Sequence, residues 1–348
     1  MNPEISASSP AGVLTLLGLR GVGPHAVERL VGKFGTLGAV LEANDNDLEV
    51  VTGAARASLR DRAAWRTSYE RAVSILAEAD RHRVHVLTCA DPAYPAMLRD
   101  VRDRPPVLYI KGTLRSDRRA VACIGTREPS RFGEEATRRI AFALAERGWS
   151  IVSGLAIGVD ALSHRAALNA KAHTIAVLAN GLDTVYPKKN QALAEEILAA
   201  GGAWVSEQPF GTAAIPRNLV QRDRLQSGMS VATFVMQTDI IGGSMHTVRF
   251  TLLQGRLLVA PVPQGQFTAD AKSRGILALT QKTGAELRRL LDADGDYAAL
   301  LAGPFKDRPV AIPLASRDDY DAVFAKLDEA AMAADETRAT PRPQLGLF

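Results

Sequence analysis

The chain has little cysteine and no long apolar run. Two cysteines, Cys89 and Cys123, occur among 348 residues, each in apolar surroundings. So few cannot build a disulfide framework, and their setting reads as small core residues, not as a bridge or a nucleophile. No apolar stretch reaches bilayer length, and the N-terminus lacks a basic segment followed by an apolar block. A cytoplasmic protein without a membrane partner is expected. Charge imbalance is small as well. The 42 Lys and Arg against 38 Asp and Glu leave +4, which permits a polyanionic partner without requiring one.

Catalytic and cofactor signatures are also missing. His25, His82, His85, His173 and His246 show no metal-ligand spacing, so no metal is expected. Asp160 and His164 lie one helical turn apart and read as a structural hydrogen-bonded pair, because no Ser or Cys nucleophile completes a triad. No catalytic residue is assigned. No G-x-G-x-x-G follows the first regular strand, no acid stands at a strand end roughly 20 residues on, and there is no Gly-Lys-Ser/Thr loop. No cofactor is expected.

What is present is regular alternation. At 47% hydrophobic, the chain can bury a full-size core divided over two or three domains. Residues 11–80 read as helical. Gly21-Val22-Gly23-Pro24 lies between short apolar helices, Leu14 to Leu19 and Ala26 to Phe34. The turn fits a helix–hairpin–helix module whose amides can meet a DNA phosphate, or an ordinary Gly-rich turn in a small bundle. Leu59 to His82 reads as a charged amphipathic connector. From Val84 onward, apolar runs of strand length alternate with helix-period segments. The expectation is an α/β fold: an extended Rossmann-like, doubly wound parallel sheet with right-handed crossovers, preceded by a small all-α, SAM-like domain. The boundaries are 1–82 for the helical part, 83–292 for the sheet, 293–334 for an extension with a helix from Asp318, and 335–348 for a disordered tail. One helix is expected over Ser273 to Leu291.

The most informative stretch is Ala120 to Ala167. Two apolar runs end in Gly-containing loops, Gly125-Thr126-Arg127 and Gly154 to Gly158, and a helix follows each loop. Gly181-Leu182-Asp183 and Gly242-Gly243-Ser244 repeat the pattern. In an open parallel sheet such loops gather at the carboxyl edge, where amides and helix N-termini favour anions. Positive charge collects there too, in Arg217, Arg222, Arg224, Arg249 and Arg256, and in Lys188 and Lys189 after Tyr186-Pro187. Amides beside Arg and Lys suit a chain of phosphates better than one small cofactor.

These residues resemble the DprA/Smf family of DNA-processing proteins over roughly residues 85–291. The resemblance is carried by Asp91-Pro92-x-Tyr94-Pro95-x-x-Leu98, Pro105-Pro106-Val107-Leu108-Tyr109-x-x-Gly112 and Gly125-Thr126-Arg127. It continues through Ser153-Gly154-Leu155-Ala156-x-Gly158-x-Asp160-Ala161-x-x-His164, Thr174 to Leu178, and Gly181-Leu182-Asp183-x-x-Tyr186-Pro187. It implies a homodimeric protein that binds single-stranded DNA and helps load a RecA-type recombinase. It also implies DNA contacts by Arg127, Lys188 and the basic residues around Arg222 and Arg224. The full expected DNA-binding set is Gly125, Thr126, Arg127, Gly154, Lys188, Arg217, Arg222, Arg224, Gly243 and Ser244. Departures mark a divergent member. Asp223 stands where the family has a neutral amide, and should weaken nearby phosphate contacts or pair with a flanking arginine. Gly228-Met229-Ser230 replaces Gly-Leu-Ser, Gly242-Gly243-Ser244 replaces Ser-Gly-Ser/Thr, and no winged-helix pattern follows the sheet.

The chain ends Gln344-Leu345-Gly346-Leu347-Phe348. This resembles the short peptide by which bacterial proteins dock on the DNA polymerase sliding clamp. Leu345, Leu347 and Phe348 would be apolar anchors, and Gln344 would fix orientation. The leading reading is a non-enzymatic protein that binds single-stranded DNA in recombination, transformation or genome maintenance. Two alternatives are a Rossmann-like sensor or hydrolase of small nucleotides, and a clamp-docked scaffold that meets DNA incidentally.

Overall fold

In the computed structural model, residues 2–115 and 119–339 are described, the last five as backbone only. The chain opens with α1 (Pro10–Leu17), α2 (Pro24–Lys33), α3 (Leu37–Glu42), α4 (Gly53–Arg60) and α5 (Arg62–Arg81). Ser9, Thr36, Thr52 and Asp61 cap α1, α3, α4 and α5 by accepting from first-turn amides. The Gly21-Val22-Gly23 turn joins α1 to α2, and Gly21 has φ +81°, which a side chain would strain. A Cβ there would stand 2.9 Å from the Ala55 amide of α4, so one side of the turn abuts α4, while Gly21 and Gly23 themselves are exposed.

The sheet region follows as β1 (Val84–Thr88), α6 (Ala96–Arg99), β2 (Val107–Gly112), β3 (Ala120–Gly125), α7 (Arg131–Glu146), β4 (Ser150–Ser153) and α8 (Val159–Asn169). It continues with β5 (Thr174–Val177), α9 (Gln191–Ala199), β6 (Ala203–Ser206), α10 (Pro216–Gly228), β7 (Ala232–Gln237), α11 (Ser244–Leu253) and β8 (Leu257–Pro261). α12 (Arg274–Gln281), α13 (Gly284–Leu290), α14 (Gly295–Ala302), β9 (Ile312–Leu314) and α15 (Tyr320–Ala339) complete the order. The strands form one nine-stranded sheet in the order β1-β2-β6-β5-β4-β3-β7-β8-β9. Six pairings are parallel, as expected of buried, β-branched runs covered on both faces. The β1–β2 and β2–β6 pairings are antiparallel, so the all-parallel expectation holds only from β6 onward.

Three further expectations are revised. The single helix over Ser273 to Leu291 is two helices, because a capping box between Thr283 and Glu286 starts α13 afresh. β9 was not anticipated; Pro313 is tolerated in it because the strand lies at the sheet edge. α15 runs five residues into the stretch read as a tether, through Asp335-Glu336-Thr337-Arg338-Ala339. Gln344, Leu345, Leu347 and Phe348 lie outside the described residues.

The helical front shares its core with the sheet. Leu16, Leu30, Leu59 and Trp65 belong to one buried cluster with Val107, Tyr109, Leu178 and Trp204. Hydrogen bonds reinforce the packing: Thr88 Oγ1 donates to the Ser8 carbonyl at 2.8 Å, and Ser68 Oγ donates to the Thr15 carbonyl at 2.6 Å. Trp65 is fully buried and its indole N–H donates to the Leu59 carbonyl at 2.9 Å. Trp65→Ala is expected to cost about 3–5 kcal/mol of stability in urea denaturation, with α/β and helical signals lost in one transition.

Candidate functional site

The strand order reverses at β3: β4, β5 and β6 lie to one side, and β7, β8 and β9 to the other. Loops leaving adjacent strands at such a point part in opposite directions and open a crevice. A cleft of about 560 Å³ occupies it, lined by Gly125, Thr126 and Arg127 after β3 and by Gly242, Gly243 and Ser244 after β7. All three residues of each of these two anticipated glycine loops therefore come together. Gly154 belongs to an adjoining hollow of about 90 Å³ shared with Arg127, Ile157, Tyr186 and Pro187.

The loop after β3 is held from two sides. The Thr126 amide donates to the Gln237 carbonyl at 2.8 Å, and the Thr126 carbonyl accepts from the Val159 amide at 3.2 Å. That bond satisfies a first-turn donor of α8, so this helix end is not free for a ligand. Gly158 has φ +80°, and a Cβ there would strike the Arg127 carbonyl at 2.5 Å. The Gln237 side chain fixes the other flank, accepting from the Ser130 amide at 2.9 Å and donating to Ser273 Oγ at 2.9 Å.

The amides of the second glycine loop already have an anion. Asp160 Oδ2 accepts from Gly154 at 3.1 Å and Ala156 at 3.3 Å. The Gly154 amide therefore faces a buried carboxylate and not a ligand, contrary to expectation. Burial pushes the Asp160 carboxyl up, and Arg222 and these amides work against it. Asp160 and His164 are not the anticipated pair: His164 Nδ1 shares a 2.7 Å hydrogen bond with Thr174 Oγ1. At α11 the amides of Gly243 and Ser244 have no acceptor among the described residues, and no acid occupies the first turn.

The basic residues divide sharply. Arg127, Lys188 and Arg217 are exposed, and their side chains have no ion pair or hydrogen bond among the described residues. Arg222 is buried; its Nη1 donates to the Val177 carbonyl at 2.7 Å and its Nε lies 3.3 Å from Asp223 Oδ1. A Cβ on Gly154 would lie 1.6 Å from Arg222 Nη1, so the glycine makes room for the guanidinium. Arg224 turns away from the cleft. It forms a bidentate pair with Glu207 at 2.7 and 2.6 Å and a further pair with Asp103 at 3.3 Å. Asp223 does pair with a flanking arginine, Arg222, as one of the two expectations held.

Sequence reasoning missed Lys272, which lines the cleft and donates to the Glu128 carbonyl at 2.7 Å. It missed His246 and Asp239 there as well. No local motif flags these residues; only the neighbouring of β3, β7 and β8 brings them in. Both cysteines are free: Cys123 is buried in the core, and burial pushes its thiol up. Among the described residues, no group of three or more His, Cys, Asp or Glu could hold a metal ion. No helix among them is long and apolar enough to cross a membrane.

The family model of DNA recombination-mediator protein A matches residues 85–293, more than half of the chain. Protein Smf of Synechocystis is 36% identical over 67% of this chain and 59% of its own length. The chain spans between about half and seven-tenths of the first curated relatives it matches. DNA processing protein A from Streptococcus pneumoniae superposes with a TM-score of 0.61 at 24% identity, covering 90% of this chain and 97% of the other. The Helicobacter pylori protein, described for its single-stranded DNA binding mode, superposes with a TM-score of 0.55 at 25% identity, covering 70% and 96%.

His164 supplies a test of the packing beneath the site. Burial, with Arg222 adding, lowers its imidazole from 6.5 to about 3, so it stays neutral in the fold while the unfolded chain takes up a proton. Its contribution to stability is complete above pH 6.5 and is lost as pH falls from 6.5 toward 3. Between about pH 7 and pH 5, the wild type is expected to lose about 1–2 kcal/mol more than His164→Gln in paired urea titrations.

Proposed function

This chain belongs to the DNA recombination-mediator protein A family, and from that premise we propose that it binds single-stranded DNA without turning it over. The observation that carries this reading is the row of exposed, unpartnered cations, Arg127, Lys188 and Arg217, on the edge that holds the free Gly243 and Ser244 amides. A phosphate chain satisfies all of them, whereas one mononucleotide reaches only a part. Ile157, Tyr186 and Ile215 stand exposed on the same loops and suit unpaired base faces, which a duplex conceals. The described single-stranded DNA binding mode of the Helicobacter pylori relative supports the same substrate.

Arg222 and Arg224 take other parts than the sequence assigned them. Arg222 forms the floor beneath Gly154, and Arg224 ties α10 to Glu207 and Asp103. The DNA track is therefore Gly125 to Arg127, Gly243, Ser244, Lys188 and Arg217, with Lys272 added from the far wall. Its place is cytoplasmic, in recombination or transformation. A RecA-type recombinase and a second copy of the chain are partners by family resemblance, and a sliding clamp by the Gln344-to-Phe348 peptide.

Arg127→Ala is expected to weaken oligonucleotide binding by about 1–3 kcal/mol and to flatten the salt dependence, with thermal stability kept. Arg224→Ala should do the reverse, costing about 3–5 kcal/mol of stability by stranding Glu207, with the salt slope retained. Fluorescence anisotropy across a salt series, with melting curves, separates the two. Equal affinity for mononucleotides and oligonucleotides would instead favour a small-nucleotide sensor. A peptide of residues 339–348 is expected to bind the sliding clamp with about 8 kcal/mol, near micromolar, and Leu347→Ala with Phe348→Ala to abolish it in calorimetry.

A further inference from the structure

The floor of the cleft carries more negative than positive charge. Asp160 and Asp223 both lie there, and Arg222 is the guanidinium that answers them, with its Nε 3.3 Å from Asp223 Oδ1. Asp160 has two backbone amides of its own. Asp223 has less: beside Arg222 it accepts from Gln226 Nε2 at 2.9 Å and interacts with the Thr247 hydroxyl. With both carboxylates ionised, one cation faces two anions in a place of low water access. Other charged groups facing the floor are Arg127 after β3, Asp239 after β7, His246 on α11 and Lys272. Two of these are already engaged, Asp239 with Arg274 at 2.8 Å and Lys272 with Glu128 at 3.7 Å.

A phosphate entering such a floor adds a third negative charge and makes the Asp223 carboxylate costlier. We propose that the cleft is a proton-coupled anion site, in which Asp223 takes up a proton from solvent when a phosphodiester settles beside Arg127 and Arg222. Protonated Asp223 releases Arg222 from its side-chain counter-ion without breaking the Gln226 hydrogen bond, because the carbonyl oxygen still accepts. Burial prepares this step by pushing the Asp223 carboxyl up to about 6, with Arg222 pulling it down and Asp160 pushing it up. Since the complex holds more proton than the free protein, affinity rises as pH falls toward that value. Asp223 thus restrains binding at neutral pH and sets a preference for strands presented in mildly acidic or strongly anionic surroundings.

The inference rests on the reading of this cleft as a DNA site, and the test keeps the two apart. Oligothymidylate is the probe, since neither its bases nor its phosphodiesters titrate near neutrality. Binding by the full chain is measured at about pH 5.5 and about pH 7.5 at one ionic strength, and calorimetry in buffers of different ionisation enthalpy counts protons. The wild type is expected to bind about three- to tenfold tighter at the lower pH, with proton uptake averaging about a quarter to a half per site across that interval. Asp223→Asn should bind about three- to tenfold tighter than wild type at the higher pH and lose most of the pH dependence. His246→Gln should retain the proton count. Wild-type binding without proton uptake, or uptake that vanishes in His246→Gln and persists in Asp223→Asn, overturns the coupling and leaves DNA binding standing. No binding by any of these proteins at either pH overturns both. The wild-type proton count decides the matter even if Asp223→Asn folds poorly.

Discussion

A buried guanidinium organises the carboxyl edge of this sheet. Arg222 reaches from α10 to the last carbonyl of β5, passes beneath Gly154 where no side chain could stand, and pairs with Asp223. Asp160 in turn gathers the Gly154 and Ala156 amides. An arginine keeps its charge under any accessible condition, so its burial demands compensating carboxylates nearby. The loop after β4, the start of α8 and the middle of α10 are thereby fixed relative to one another. The loop after β3 then leans on α8 through the Thr126–Val159 hydrogen bond, which aims Arg127 outward.

This arrangement separates charge that builds from charge that binds. Arg222 and Arg224 lie two positions apart on one helix, yet they face different parts of the molecule, because successive helical side chains diverge. Arg222 sits under the cleft; Arg224 closes the seam between α10, the end of β6 and the segment before β2. Arg127 on the loop after β3, Lys188 in the turn after Tyr186-Pro187 and Arg217 in the first turn of α10 keep their side-chain donors free. A surface whose cations lack internal partners loses no ion pair when a polyanion arrives, whereas the paired arginines would have to exchange one carboxylate for one phosphate.

The helical front and the sheet are likewise one object where the periodicity implied two. One buried cluster runs from Leu16 and Trp65 to Tyr109 and Trp204, beneath the exposed Arg81 and Arg83 where α5 passes into β1. The Gly21 turn abuts α4 with Gly21 and Gly23 exposed, and it is not among the residues that line the cleft.

Much of this was legible in the residue order. The apolar runs from Ala120 to Pro261 are strands, because four to six β-branched or small apolar residues buried on both faces suit a parallel sheet. The glycine loops after β3 and β7 announce a carboxyl edge made for anions, and the ordered short motifs identify the family. The Thr283-x-x-Glu286 signal that divides α12 from α13 was equally on the page, and the apolar period across it concealed the break. What no local pattern could decide is which charges remain available. Whether an arginine is a phosphate donor or a buried strut depends on distances to Asp103, Asp160, Glu207 and Asp223. Two of these are remote in sequence from the arginine they hold, and only the order of strands in the sheet brings them near. Residue types and spacing determined the fold and the class of ligand; the strand order, by choosing each cation's neighbours, decided which residues can meet it.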